Sequence, residues 1–115
     1  MASLALAIPV LPGKTEAVRK MFETIKSEKW KEYDQSQKRS GLKKERDFLQ
    51  STPMGDTLVF YLEADDFNKA FSEFAASKDP FDVWFKQEIK NVSGVDFNEP
   101  SSGPLPEQLM SYDSQ

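Results

Sequence analysis

Residues 57–63 (TLVFYLE) constrain this chain more than any others. Leu58, Phe60 and Leu62 alternate with Val59, Tyr61 and Glu63. Apolar residues at period two mark a strand with one face buried. The first set belongs beneath helices. The second set carries a phenol and a carboxylate, so it faces something wetter or functional. The partner strand is predicted over residues 45–51, and two registers compete. A three-residue loop, Pro53-Met54-Gly55, places glycine where a left-handed backbone is needed. It sets Arg46, Phe48 and Gln50 on the Leu58-Phe60-Leu62 face and crowds Glu45 and Asp47 with Glu63. A four-residue loop over residues 53–56 pairs Thr52 with Thr57. Arg46 then faces Glu63, and Phe48 faces Tyr61. Turn chemistry favours the first and charge pairing the second. A one-residue slip exchanges the two faces, so the register stays open, with a lean to the second.

The flanking segments supply the other elements. Leu4, Leu6, Ile8 and Val10 alternate with small residues over 3–11, which predicts a buried strand with Pro9 near its end. Gly13 turns the chain, and Ala17, Val18, Met21, Phe22 and Ile25 recur at helical spacing. The helical pattern weakens through Trp30 and Tyr33 towards Gly41, a natural stop. A helix of about 25 residues exceeds what a small sheet requires, so either a kink near Ser27 or an overhanging end that packs on another chain is expected. Asp65 or Asp66 caps the next helix, which carries Phe67, Ala70, Phe71 and Phe74. Asp79 followed by Pro80 restarts the chain as another short helix. Residues 94–106 hold three prolines and two glycines and read as an irregular connector. Residues 107–112 are the candidate last strand.

The order strand, helix, strand, strand, helix pair, strand is that of an α+β, ferredoxin-like βαββαβ domain spanning 1–115. Its helices cover one face of an antiparallel sheet. The other face is too apolar to stay bare, which predicts a homodimer with sheet face against sheet face.

Composition excludes several functions. The chain has no Cys and no His, which removes thiol nucleophiles, imidazole metal sites and His-based triads. No metal or cofactor is expected. A net charge of −4 with dispersed Lys and Arg argues against nucleic acid and anionic membrane surfaces. The N-terminal run LALAIPVL has no basic leader and runs straight into a helix, so it reads as a strand and the protein as cytoplasmic. Asn91-Val92-Ser93 matches a glycosylation triplet that is common by chance.

The segments SQKRSG (36–41), FLQSTPMGD (48–56), YLEADD (61–66), DPFDVWF (79–85) and GVDFNEPSSGPLP (94–106) resemble a family of small bacterial proteins of the dimeric α/β-barrel superfamily. That superfamily includes antibiotic-biosynthesis-monooxygenase-like and stress-responsive barrel proteins. The resemblance implies a cavity between sheet and helices for a small hydrophobic or aromatic molecule. It admits a cofactor-independent monooxygenase or isomerase, or a protein without catalysis. Members that rely on a catalytic or haem-binding His have no counterpart here.

The candidate residues follow. Glu63 is a candidate general base and Tyr61 a candidate ligand for a carbonyl or hydroxyl, unless both are interface groups. Arg46 and Gln50 are candidates to orient a polar ligand, or to form ordinary interface hydrogen bonds. Trp30, Tyr33, Phe81, Trp84 and Phe85 are candidate walls of an aromatic pocket, Trp30, Tyr33 and Trp84 foremost, against the plainer reading of a core stripe. Ser36, Lys38 and Arg39 are placed to meet an anion or to end a helix. Asp65 and Asp66 read as caps rather than as a metal site.

Overall fold

The computed structural model describes residues 2–99 and 105–114. The elements are β1 (Ala2–Pro9), α1 (Thr15–Glu28), α2 (Trp30–Ser40), β2 (Leu42–Thr52), β3 (Gly55–Ala64), α3 (Phe67–Ala76) and α4 (Pro80–Ser93). They form the ferredoxin-like α+β arrangement. The three strands are antiparallel in the order β1-β3-β2, so β1 and β2 are both edges.

The alternation of β3 decides the layering. Leu58, Phe60 and Leu62 are buried, with Leu4 and Ile8 of β1 beside them. Val18, Met21 and Ile25 of α1 and Phe81, Phe85, Ile89 and Val92 of α4 close the core from above. Burying each such Leu, Ile or Phe contributes about 1.5–3 kcal/mol. A slipped β3 would expose its three together, so the register is strongly held.

The long helical stretch breaks at Lys29, two residues beyond the expected kink. Within α1, Ser27 Oγ donates to the Glu23 carbonyl at 2.8 Å, a back-bond that bends helices. The other punctuation follows the sequence. Asp66 accepts from the Lys69 amide, Asp79 from the Phe81 amide, Pro80 opens α4, and Gly41 ends α2 at φ 82°.

Two expectations need correction. The hairpin takes neither predicted loop. Thr52 pairs with Gly55, so only Pro53 and Met54 lie between the strands. The Thr52 hydroxyl stabilises this turn, donating to Gly55 O at 2.7 Å and accepting from Met54 N at 3.2 Å. Gly55 carries the positive φ, 124°. Arg46 therefore stands opposite Tyr61, Phe48 opposite Val59, and Lys44 opposite Glu63. The charged face of the favoured register is right, and its pairing is off by two residues.

The candidate last strand, 107–112, is not a strand. Residues 105–114 have no regular structure, and Leu109, Met110 and Tyr112 are 86%, 82% and 82% exposed. In an extended chain Met110 and Tyr112 share one face with Gln108, and Leu109 shares the other with Glu107 and Ser111, which leaves little apolar surface on either to anchor an edge strand. Of the predicted connector, 100–104 lie outside the described residues.

Candidate active site along strand β2

The helix-facing side of β2 is unusual. Its register places Glu45 beside Leu62, Asp47 beside Phe60 and Leu49 beside Leu58. Between Leu42, which packs on the core beside Ala64, and Leu49, both core-facing positions on this edge strand are therefore acids. Carboxyls at i and i+2 of a strand share a face, so the two are neighbours.

The helices above supply partners for only one of them. Tyr33 Oη donates to Glu45 Oε1 at 2.9 Å, and Gln37 Nε2 donates to the same oxygen at 2.7 Å. Tyr33 and Gln37 lie one turn apart on α2, joined by an Nε2-to-Oη contact of 3.2 Å. Burial, and then the charge of Glu45, push the Tyr33 phenol well above its usual value, so it stays a donor. Asp47 has a different environment. Burial, and then the charge and hydrogen bond of Glu45, push its carboxyl from 3.8 up to about 9. It holds its proton at neutral pH. Its Oδ1 is buried without a hydrogen-bond partner among the described residues.

Two open clefts run along β2. One, of about 350 Å³, lies beside α1 and has Phe22, Lys26, Asp47 and Leu49 in its wall. The other, of about 510 Å³, lies beside α2 and has Trp30, Tyr33, Gln37, Glu45 and Arg46 in its wall. The paired carboxyls thus face one cleft each. A neutral acid beside an acceptor carboxylate is the arrangement for moving one proton in each direction. No metal-ligand geometry is required.

The structure divides the candidate residues of the sequence. Trp30, Tyr33 and Arg46 come together in the α2 cleft. The Trp30 and Tyr33 rings pack at 5.3 Å, and Arg46 donates to the Glu45 carbonyl at 3.0 Å. Trp84 lies elsewhere, against Phe81 at 5.7 Å and under Lys29 Nζ at 5.0 Å. Tyr61 and Glu63 lie on the opposite, open face and bind each other, Oη donating to Oε2 at 2.5 Å. That hydrogen bond raises the Tyr61 phenol. Lys44, not Arg46, approaches Glu63, at 3.8 Å. Gln50 is exposed on the open side of β2, opposite Thr57.

Ser36 and Arg39 do meet an anion, but it is internal. Buried Asp82 of α4 accepts from Ser36 Oγ, from Arg39 Nη2 at 3.1 Å and from Ser77 Oγ at 2.6 Å. Lys38 pairs with Asp34 at 3.0 Å. Sequence reasoning passed over Glu45, Asp47 and Gln37. The available signal was the four-residue-loop register, which sends Arg46 and Phe48 to the open face and so turns Glu45 and Asp47 towards the helices.

No family model and no curated protein sequence matches the chain. Among solved structures, the L-rhamnose mutarotase of Formosa agariphila superposes with a TM-score of 0.63 at 18% identity, over 97% of this chain and 100% of that one. What the two share is the fold. The likeness supports the ferredoxin-like architecture of the superfamily that the sequence resembles. Among the described residues, no helix is long and apolar enough to cross a membrane.

Proposed function

We propose that this protein is a cofactor-independent isomerase that moves protons on a small polar molecule held against β2. Glu45, in the wall of the α2 cleft, is the general base, and Asp47, two residues along the strand in the wall of the α1 cleft, is the general acid for a ring that lies across the strand edge between the two clefts. The observation that carries this reading is the geometry of the half-buried pair, an Asp47 with a buried, unpartnered Oδ1 beside a Glu45 held by Tyr33 and Gln37, and burial raises the Asp47 carboxyl towards its neutral form. The fold neighbour is named for a reaction of this type, the interconversion of sugar anomers. Applied to a cyclic hemiacetal, the chemistry balances. Glu45 takes the proton of the anomeric hydroxyl. Asp47 gives its proton to the ring oxygen as the bond from that oxygen to the anomeric carbon breaks. The open aldehyde rotates and closes on its other face by the reverse transfers, which restore both carboxyls. General acid–base catalysis of this kind contributes about 10²–10⁴-fold.

The test is anomer exchange by saturation-transfer NMR across a panel of reducing sugars. The wild type should accelerate exchange for at least one member. Asp47→Asn and Glu45→Gln should each lose about 10²–10⁴-fold of that rate. No acceleration across the panel, or equal rates in both variants, overturns the proposal.

The homodimer expected from the sequence belongs to the same reading. The open face carries the rows Ala5–Tyr61–Arg46 and Ala7–Val59–Phe48, with Phe48 57% exposed. A second copy is the occupant that matches this mixed face, because a two-fold axis makes one such patch complementary to itself. Such a dimer leaves Glu45 and Asp47 on the helix side of each subunit, and brings the second copy up to the rim of the α2 cleft at Lys44 and Arg46, which face the open side.

A further inference from the structure

We propose that the α2 cleft is a binding site for a small carboxylate carried on a ring. The proposal rests on the same site as the acid–base reading and adds the class of molecule that fills it. Its first support is charge. In a chain of net charge −4, this concavity is lined by Lys38, Lys43, Lys44 and Arg46 against only Asp34 and Glu45. Asp34 is occupied by Lys38 at 3.0 Å, and Glu45 accepts from Tyr33 and Gln37. Lys44 is held loosely, 3.8 Å from Glu63. Lys43 and Arg46 have no acidic partner among the described residues.

Backbone geometry contributes the second support. The register of β2 against β3 is interrupted between Leu42 and Lys44, so Lys43 has no partner across the strands. Bulges re-aim side chains at the edges of sheets. Here the bulge brings two consecutive lysines to one rim. Arg46, on the next turn of the pleat, offers a planar fork that suits a carboxylate.

The third support is Trp30. It is the first residue of α2, just after the break at Lys29, and it remains 59% exposed. An indole buries a large area when it packs, yet only one side of this ring is used, against Tyr33 at 5.3 Å. The free side offers a stacking surface at the cleft mouth. The chain of contacts runs from Trp30 to Tyr33 to Glu45. A ring on the indole therefore points its substituents at the basic rim on one side and at Glu45 on the other. Aromatic acids and acidic sugars both present this combination.

Calorimetric titration separates these sources. Wild-type protein is titrated with an aromatic carboxylate, a uronic acid and the neutral amide or alcohol of each. One or both acids should bind, more weakly as salt rises, and their neutral forms at least about tenfold more weakly. Lys43→Gln combined with Arg46→Gln should weaken the acid by at least about tenfold. Trp30→Ala should weaken acid and neutral form alike. Each variant's circular dichroism spectrum confirms that it is folded. Equal binding of acid and neutral forms, no binding of either acid, or unchanged affinity in the double variant overturns the proposal. Repeating the titration with Asp47→Asn keeps it distinct from the catalytic reading. Binding there without turnover in the wild type sinks only catalysis. Turnover of neutral sugars without carboxylate binding sinks only this inference.

Discussion

Asp47 occupies a position that the fold reserves for apolar side chains and meets the cost by staying protonated. The consequence for stability has a definite sign. In the unfolded chain the carboxyl loses its proton near 3.8, and in the fold near 9. Between those values the folded state binds more protons than the unfolded one, so stability must fall as pH rises through the window. Asp47→Asn keeps the shape and the donor and removes the titration. It should flatten the slope and stabilise the protein at pH 8 by about 1–3 kcal/mol, read by urea unfolding across pH. An unchanged slope would mean that Asp47 is ionised in the fold. Stability gained with activity lost is the expected signature of a group kept for chemistry. Tyr33→Phe should leave Glu45 with Gln37 alone. The loss of one hydrogen bond to a charged group is worth about 1.5–3 kcal/mol, visible in the same unfolding assay.

At the scale of elements, α3 and α4 are joined by a buried cation. Lys86, 1% exposed, donates from Nζ to the carbonyls of Phe74 at 2.9 Å, Ala75 at 3.0 Å and Ser77 at 3.0 Å. These oxygens end α3, where the helix leaves acceptors unpaired and a positive charge is favoured. Lys86→Met should strand the carbonyls of Ala75 and Ser77, while Phe74 O keeps the Ser77 amide at 3.2 Å, and cost about 2–4 kcal/mol in chemical denaturation. A loss below about 0.5 kcal/mol would show the carbonyls satisfied by water. This junction was only half legible in the sequence. Asp79-Pro80 announced the restart of the chain, because capping and proline chemistry are local. Nothing local says that a lysine twelve residues beyond Phe74 turns inward. The same divide runs through the sheet. β3 could be read because its apolar residues recur at period two. Strand β2 shows only Leu49 as an apolar residue on its core face between Glu45 and the turn. Acids at alternating positions ordinarily mark the wet side of a strand, so its orientation had to come from pairing. Pairing in turn depended on a turn held by the Thr52 hydroxyl, and the carboxyl pair stayed hidden.

The whole molecule has two unlike surfaces. Helices and acids crowd one side of the sheet, and the other is left bare. If a second copy covers the bare side, Phe48→Asp sets two charges close to the axis and should convert a dimer to a monomer in sedimentation at micromolar concentration. The clefts and their chemistry should survive the change. An unaltered sedimentation coefficient would place the contact elsewhere. The hairpin tip offers an independent reading of the same geometry. Met54 is 98% exposed, and the natural chain contains no cysteine. A Met54→Cys variant would therefore carry a single thiol, addressable by a spin label without a background to remove. Two labels related by one axis give one distance, so a narrow distribution in a dipolar measurement would report the orientation of the copies, and a broad or absent one their separation.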